Sequence, residues 1–275
     1  MQIILKNLKY LIFILSVVVL IGCSEYSKVL KKGTLDEKQA YANKAYKKKD
    51  YVRALPLYEE LLAAYRGKPE SEEIYFYYCY SNYGQGQYEL AAYHFKNFTE
   101  NYFNSKHSEE CAFMYAKSIY KQTKPYFLDQ TSTQKAIDEV QLFLNVYPES
   151  IYKEEGNNII TELRGLLQNK AFQTAMLYYK IEDYKASILC FKNAIKAFPD
   201  IENKDEIEYL ILKSSYMFAK YSVIEEKSIR YESVFSYYKE YFNKRTPSPF
   251  EAQAKDIYNS SEQELIKHKK SINIL

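Results

Sequence analysis

The chain has 275 residues and a formal net charge of only +3, which is too small to indicate a nucleic-acid-binding protein. It contains 7 glycines and 7 prolines, and so few turn-forming residues exclude an all-β sandwich or barrel, which needs a turn every ~8–12 residues. Charged residues make up 27% and hydrophobic residues 47% of the chain, which excludes both a disordered protein and one with many membrane spans.

The N-terminus has the pattern of a secretory signal peptide. Lys6 and Lys9 precede an apolar run over Leu11–Ile21, which is shorter than the ~20 residues that a membrane-spanning helix needs. The run ends in the sequence LIGC at Cys23, which resembles a bacterial lipobox. The resemblance implies that residues 1–22 are cleaved off, that diacylglycerol is attached to the Cys23 thiol, and that the new amino group is acylated. An ordinary secretory signal and a short membrane anchor are the alternatives.

The residues after the lipobox indicate how the protein is held at a membrane. Two or three acyl chains anchor a protein stably, whereas a single chain gives only marginal binding. Ser24 follows Cys23, and in the sorting rule that accompanies the lipobox the absence of Asp at this position favours the outer membrane. Residues 23–34 are mostly polar, and we expect them to form a short tether.

The rest of the chain contains a repeated pattern of tyrosine, a small or apolar residue, an aromatic residue and a further apolar residue, at intervals of three and four positions. The clearest copy consists of Tyr184, Ser187, Phe191 and Ala194 and ends at Pro199. Such spacing places the side chains on one stripe of a helix. Weaker copies begin at Tyr51, Tyr88, Thr133 and Tyr231.

This pattern resembles the tetratricopeptide repeat, a helix-turn-helix unit. The small residue lets the two helices of a repeat approach closely, and the proline ends the second helix. The resemblance implies an all-α fold, an α-solenoid of about five irregular repeats with a C-terminal capping helix. The repeats are predicted at residues 35–66, 70–102, 106–147, 151–198 and 205–245, with an insertion at 123–133, one long helix at 152–180 and the capping helix at 249–270.

We find no set of residues that predicts catalysis or a metal site. No histidine has a partner at metal-ligand spacing, and we expect all three (His94, His107 and His268) on solvated helix surfaces. The cysteines other than Cys23 form no C-x-x-C pair, and the chain has no glycine-rich phosphate loop or nucleophile elbow. A disulfide between Cys79 and Cys111 is possible, although buried free thiols fit the pattern better. We therefore expect no enzyme activity, cofactor or metal.

Stacked helical pairs form a groove lined by the first helix of each repeat. The candidate groove residues are Asn43, Tyr46 and Lys47 in the first repeat, Phe76, Tyr80 and Tyr83 in the second, and Phe113 and Lys117 in the third. An aromatic groove with a few amide and cationic groups suits an extended or hairpin peptide with apolar side chains and a carboxylate end. The alternative is that these aromatic residues are packing residues in a tyrosine-rich chain.

A basic run, Lys47-Lys48-Lys49, follows the first predicted helix. It has two interpretations. It can contact anionic partners or lipid head groups, or it can be the solvated C-terminal end of a helix, where cations suit the helix dipole.

The lipobox followed by about five irregular repeats resembles the BamD family of outer-membrane assembly lipoproteins. The resemblance is carried by the lipobox leading into the first repeat, by the segment Ser108–Tyr120 with the insertion that follows it, and by the long helix whose repeat ends at Pro199. It implies a non-enzymatic periplasmic scaffold, lipid-anchored to the outer membrane, that belongs to the β-barrel assembly machinery and uses no ATP.

The resemblance also implies partners. Repeats one to three, residues 35–147, would receive the C-terminal segments of unfolded outer-membrane proteins, and residues 151–270 would dock on a BamA-like β-barrel with POTRA domains. Another periplasmic repeat lipoprotein, acting as an adaptor in cell-wall or secretion machinery, is the alternative. A glycan-binding lipoprotein fits less well, because such proteins usually stack sugars on tryptophan and this chain has no tryptophan.

Overall fold

The computed structural model describes residues 25–242 and 248–272, and all regular secondary structure in these ranges is helical. The helices are α1 (residues 25–32), α2 (Leu35–Lys47), α3 (Tyr51–Ala64), α4 (Glu70–Gly84), α5 (Tyr88–Asn101), α6 (Ser108–Tyr120), α7 (Thr131–Val146), α8 (Lys153–Lys180), α9 (Tyr184–Ala197), α10 (Lys204–Lys220), α11 (Ile224–Tyr241) and α12 (Glu251–Ile272). The predicted signal peptide and the predicted lipidation site, Cys23, lie outside the described residues.

The helices begin where the sequence supplies capping groups. The hydroxyl of Thr34 accepts a hydrogen bond from the Glu37 amide at 3.3 Å while the Glu37 carboxylate accepts one from the Thr34 amide at 2.9 Å, which is a complete capping box for α2. Asp50 caps α3 and Asp183 caps α9. In each case the aspartate carboxylate accepts a hydrogen bond from the backbone amide three residues later.

Three repeats share the same turn between their two helices. Lys49 (φ 60°), Gly86 (φ 75°) and Glu182 (φ 64°) adopt the left-handed backbone conformation, and each lies two residues before the tyrosine that begins the second helix. Left-handed residues are uncommon outside glycine, so their recurrence at one position indicates that the three turns are structurally equivalent.

Consecutive helices pack against each other from α2 to α7 and from α9 to α12. The small or apolar residue of the repeated pattern is fully buried in all five copies, at Ala54, Ala91, Ala136, Ser187 and Val234. Its small size allows the close approach of neighbouring helices that the pattern predicts. The predicted fold class, an α-solenoid of tetratricopeptide-like repeats, is confirmed.

The chain separates into two compact units. Unit 1 extends to Lys124 and includes Gln130–Thr161, whereas unit 2 comprises Pro125–Asp129 and the chain from Glu162 onward. The division therefore falls inside the long helix α8. None of the helices in the described ranges combines the length and the apolar character that crossing a bilayer requires.

Unit 1 has an apolar core beneath its first repeat, formed by seven buried residues of α2, α3 and α4 that include Leu57, Tyr58 and Leu61. Each fully buried leucine contributes about 1.5–3 kcal/mol. Tyr26, Val29 and Leu30 of α1 pack against this core. The segment predicted as a tether thus contains a helix that covers the first repeat.

Unit 2 has two apolar cores. One joins α8, α9 and α10 around Ala175, Phe191 and Ile207, and the other joins α10, α11 and α12 around Tyr231 and Ala254. The last helix, α12, therefore covers the end of the helical array within unit 2, as a capping helix does.

Candidate functional site

The first helices of successive repeats in unit 1 contact one another directly. Tyr46 of α2 meets Tyr77 of α4, with ring centroids 4.8 Å apart. The Tyr80 hydroxyl of α4 donates a hydrogen bond to Glu110 of α6. Phe113 of α6 stacks on Tyr152, which lies directly before α8. We call the surface formed by α2, α4, α6 and the start of α8 the first-helix face.

The candidate groove residues of α2 lie at one end of this face. The Asn43 side-chain oxygen accepts a hydrogen bond from the Tyr58 hydroxyl at 2.8 Å, so this amide is engaged inside the repeat. Tyr46 is half-buried and its ring also contacts Tyr51 at 5.7 Å. Lys47 is exposed and forms no ion pair within the described residues. Of the three, Lys47 is thus the side chain most available to a ligand.

The candidate residues of α4 form an aromatic row. Phe76 is 8% exposed and stacks on His107, with centroids 4.1 Å apart. Tyr80 lies 4.9 Å from Phe76 between ring centroids and is half-buried. Tyr83, also half-buried, makes an edge contact with Tyr88 at 5.2 Å. Phe76 is therefore a packing residue beneath the first-helix face, while Tyr80 and Tyr83 are partly exposed on it.

The candidate residues of α6 are tied to α8. Phe113 is 1% exposed and stacks on Tyr152 at 4.5 Å with an interplanar angle of 8°. The Lys117 amino group lies 2.6 Å from Glu155 and 5.6 Å above the Phe113 ring. Phe113 is therefore a packing residue, and the charge of Lys117 is largely neutralised by its partner.

The face carries more carboxylates than free cations. Glu73 accepts a hydrogen bond from the Tyr77 hydroxyl at 3.3 Å. Glu110 accepts one from Tyr80, and Glu155 forms an ion pair with Lys117. The sequence pattern emphasised the lysines Lys47 and Lys117, but in the structure only Lys47 offers an uncompensated charge. The face can therefore bury apolar groups, accept hydrogen bonds at its carboxylates and donate them from its phenols.

The tyrosine hydroxyls on this face stay protonated. Burial, followed by the neighbouring Tyr51 and Tyr77 hydroxyls, raises the pKa of Tyr46 above its ordinary value. Burial and the hydrogen bond to Glu110 raise the pKa of Tyr80 in the same direction. Because an ordinary tyrosine already titrates near pH ~10, these phenols are hydrogen-bond donors at any physiological pH.

The sequence interpretation missed four residues of the face, namely Tyr77, Glu110, Tyr152 and Glu155. Glu110 had a usable signal, since it precedes Phe113 by three positions and lies on the same helical stripe as Lys117. Tyr152 and Glu155 had none, because they belong to a different repeat and reach the face only through the stacking of α8 against α6.

A model of the YfiO family, described as an outer membrane lipoprotein, matches residues 34–227, which is more than half of the chain. The chain belongs to the YfiO family. No curated protein matches the sequence. The YfiO match begins at Thr34, the cap of α2, and ends in the first turn of α11. It therefore spans the whole first-helix face, and it assigns the protein to the outer membrane.

The YfiO match also spans most of a second concave surface, which lies in unit 2 between α9, α10 and α11. This groove has a volume of about 490 Å³ and is lined by Lys185, Ile188, Leu189, Lys192, Asn193, Lys196, Ser215, Phe218, Arg230, Ser233 and Tyr237. The Arg230 guanidinium lies 4.0 Å above the Phe218 ring, and the Lys192 amino group lies 5.1 Å above Tyr237. We call it the unit 2 groove; it combines positive charge with an apolar floor.

The remaining cysteines and histidines of this YfiO-family chain have structural contacts. Cys79, Cys111 and Cys190 are free thiols, and burial raises the pKa of each. The Tyr75 hydroxyl lies 3.1 Å from His94 Nδ1, and His268 is 8% exposed. The expectation that all three histidines are solvated is wrong, because His268 is buried. Among the described residues, no group of three or more His, Cys, Asp or Glu side chains could hold a metal ion.

Proposed function

We propose that this protein is a BamD-type scaffold of the β-barrel assembly machinery. It is attached to the periplasmic face of the outer membrane by a lipid on Cys23, and it acts by binding other proteins and catalyses no reaction. The membership in a family of outer membrane lipoproteins supports the location. The continuous first-helix face, in which each repeat of unit 1 contacts the next, supports a role in binding an extended chain.

The proposed ligand of the first-helix face is the C-terminal segment of an unfolded outer-membrane protein. Such a strand alternates apolar and polar residues and ends in an aromatic residue with a free carboxylate. The half-buried rings of Tyr46, Tyr80 and Tyr83 can cover its apolar side chains, and the hydroxyls of Tyr46 and Tyr83 can donate to its backbone. Lys47 is the cation available for the terminal carboxylate, because Lys117 is already paired.

A titration with a fluorescent peptide tests this assignment. The peptide has the alternating pattern of a barrel strand and ends in phenylalanine with a free carboxylate. We expect Tyr80→Ala and Lys47→Glu each to weaken binding about ten-fold. Tyr93→Ala, which removes an exposed tyrosine on the second helix α5, is the matched control and should leave the affinity within about two-fold.

The outcomes separate clearly. Circular dichroism of each variant establishes that the helices are retained. Unchanged affinity in both groove variants would refute the peptide assignment without touching the fold. Equal losses in Tyr93→Ala and Tyr80→Ala would show that the peptide binds aromatic surface without regard to position.

We further propose that the unit 2 groove docks the barrel partner. Three lysines of α9, Lys185, Lys192 and Lys196, lie on one helical stripe around the exposed Leu189, and none forms an ion pair within the described residues. This combination suits an acidic segment with an apolar anchor, which a POTRA domain of a BamA-like barrel would supply.

Purification from detergent-solubilised membranes tests the partner. We expect the wild-type protein to retain a β-barrel with POTRA domains, and we expect Lys192→Glu with Arg230→Glu to lose it while the peptide affinity is kept. Recovery of cell-wall or secretion subunits in place of the barrel would instead favour the alternative, a periplasmic adaptor lipoprotein.

A further inference from the structure

The described chain begins beside a group of five lysines, of which the proposed function uses only Lys47. They belong to α1, to the end of α2 and to the α2–α3 turn, and they are Lys28, Lys44, Lys47, Lys48 and Lys49. We call this group the anchor-side cluster. All five side chains are exposed.

Contacts between α1 and α2 place this cluster next to the predicted anchor. The Lys44 amino group lies 3.8 Å from the Glu25 carboxylate, and the rings of Tyr26 and Tyr41 are 5.9 Å apart. The two helices therefore run in opposite directions, and the end of α2 lies beside residue 25. Two residues of chain span at most ~7 Å, so Glu25 stays within that distance of the Cys23 backbone.

Of the five cluster lysines, only Lys44 faces a neighbouring carboxylate among the residues that the structure describes. Asp50 is engaged by the Arg53 guanidinium at 2.9 Å, and Glu37 is engaged by the Thr34 amide at 2.9 Å in the capping box. Glu25 faces Lys44 alone. Within the described residues Lys28, Lys48 and Lys49 form no ion pair, so the positive charge is presented to solvent.

The α2–α3 turn also presents an apolar group. Val52 is 70% exposed and lies three residues after Lys49, whose left-handed backbone makes the turn tight. Lysines with an adjacent exposed apolar side chain are the composition that binds the interface of an anionic bilayer.

We propose that the anchor-side cluster binds anionic phospholipid head groups of the membrane that carries the anchor. The proposal rests on the lipid at Cys23, which would hold this end of unit 1 at the bilayer surface. Screening in salt restricts such attraction to ~8–10 Å. The short link from Cys23 to Glu25, whose carboxylate lies 3.8 Å from the Lys44 amino group, favours an approach of this end of unit 1 to the bilayer within that range. The lipid then provides attachment, and the lysines determine which edge of unit 1 faces the membrane.

The test uses the full chain, processed in cells and purified as the lipoprotein. It is reconstituted into vesicles of phosphatidylcholine alone or of phosphatidylcholine with phosphatidylglycerol. A water-soluble acetylating reagent modifies exposed lysines, and mass spectrometry gives the rate at each. We expect Lys48 and Lys49 to react about three- to ten-fold more slowly on the anionic vesicles, and high salt to remove the difference. Equal rates on both vesicles would overturn the proposal.

Matched variants separate a local surface from net charge. The triple variant Lys28→Glu, Lys48→Glu and Lys49→Glu should abolish the protection of the remaining Lys44 and Lys47. An equal charge change elsewhere in unit 1 should preserve it; the control carries glutamate at three exposed lysines, Lys106, Lys135 and Lys153. Loss of protection in both variants, or in neither, would contradict a local lipid-binding surface.

Two further measurements distinguish the ways in which the proposal could be wrong. Inorganic phosphate added to phosphatidylcholine vesicles should not protect the lysines; protection there would identify a free-anion site and overturn the membrane assignment. The intact mass reports acylation independently. An unacylated protein would refute the proposed anchor and this inference together, whereas an acylated protein with equal lysine rates would refute the inference alone.

Discussion

Tyr80 of α4 donates a hydrogen bond to Glu110 of α6, and so links the first helices of the second and third repeats. Each repeat unit of a solenoid contacts only its neighbours, so stability depends on such nearest-neighbour interfaces. The same tyrosine ring also packs on Phe76 and Phe95, at 4.9 Å and 5.2 Å. The hydroxyl of Tyr80 therefore contributes to an interface whose apolar part is already formed.

Removing this hydroxyl should lower the stability of unit 1. We expect Tyr80→Phe to reduce the free energy of unfolding by about 1–2 kcal/mol, because a hydrogen bond to a charged group is lost while the ring stays packed. Urea unfolding monitored by circular dichroism measures the change. Tyr83→Phe is the control, since the Tyr83 ring packs on Tyr88 and its hydroxyl forms no hydrogen bond with any residue that the structure describes. It should change stability by less than about 0.5 kcal/mol. Equal effects of the two variants would contradict the role given to the Tyr80–Glu110 bond.

A glycine at the end of α4 allows the close approach of Tyr51. A methyl group at Gly84 would lie 2.2 Å from the Tyr51 ring, whereas one at Gly165 in α8 would meet no atom within 4 Å. We expect Gly84→Ala to destabilise the protein by about 1–3 kcal/mol through overpacking. Gly165→Ala should instead stabilise it by about 0.5–1 kcal/mol, because alanine has the higher helix propensity. Thermal unfolding of the two variants should therefore shift in opposite directions, and a shared direction would rule out the steric explanation for Gly84.

The repeat architecture could be predicted because its determinants are local. Buried small residues such as Ala54 and Ala91 recur at a fixed offset from the tyrosine that begins the second helix, and this offset alone specifies which face packs. The division inside α8 could not be predicted, because the helix continues without interruption while its packing partners change. The helix at residues 25–32 was also missed, since its two apolar positions, Val29 and Leu30, acquire a partner only when the first repeat forms.

The site was predicted less completely than the fold for the same reason. The offsets within the repeat indicated Tyr80 and Phe113, but not that Phe113 would be covered by Tyr152. That contact depends on the stacking of repeats, which no single helix encodes. A solvated lysine and a paired lysine also look alike in sequence, and only the structure distinguishes Lys47 from Lys117.

The buried thiols should be unreactive in the folded protein. Burial raises the pKa of Cys79 well above its ordinary value, and burial together with Glu110 raises that of Cys111, so neither forms the reactive thiolate near neutral pH. Cys190 is only half-buried. We expect an alkylating reagent to modify Cys190 first and to reach the other two only on unfolding, as measured by peptide mass spectrometry. A Cys79–Cys111 disulfide in the purified protein, or faster labelling of Cys79 than of Cys190, would contradict this order.

The Lys117–Glu155 pair allows a test of how the first-helix face binds the C-terminal carboxylate of a peptide. Glu155 holds the Lys117 amino group at 2.6 Å, so the pair presents almost no net charge to a ligand. We therefore expect Lys117→Met to leave the affinity for a peptide with a free C-terminal carboxylate nearly unchanged. Glu155→Gln should strengthen binding of the same peptide about three- to ten-fold, because it releases a cation 5.6 Å above the Phe113 ring.

The matched ligand for this last test is the C-terminally amidated peptide. It has the same side chains without the negative charge, so Glu155→Gln should not improve its binding. If the amide gained as much as the acid, the variant would be acting through a change in packing between α6 and α8, and a charge effect at Lys117 would be excluded. If neither ligand gained while Lys47→Glu still weakened the acid, the terminus would be held at α2 alone, and the peptide direction along the face would follow from that single contact.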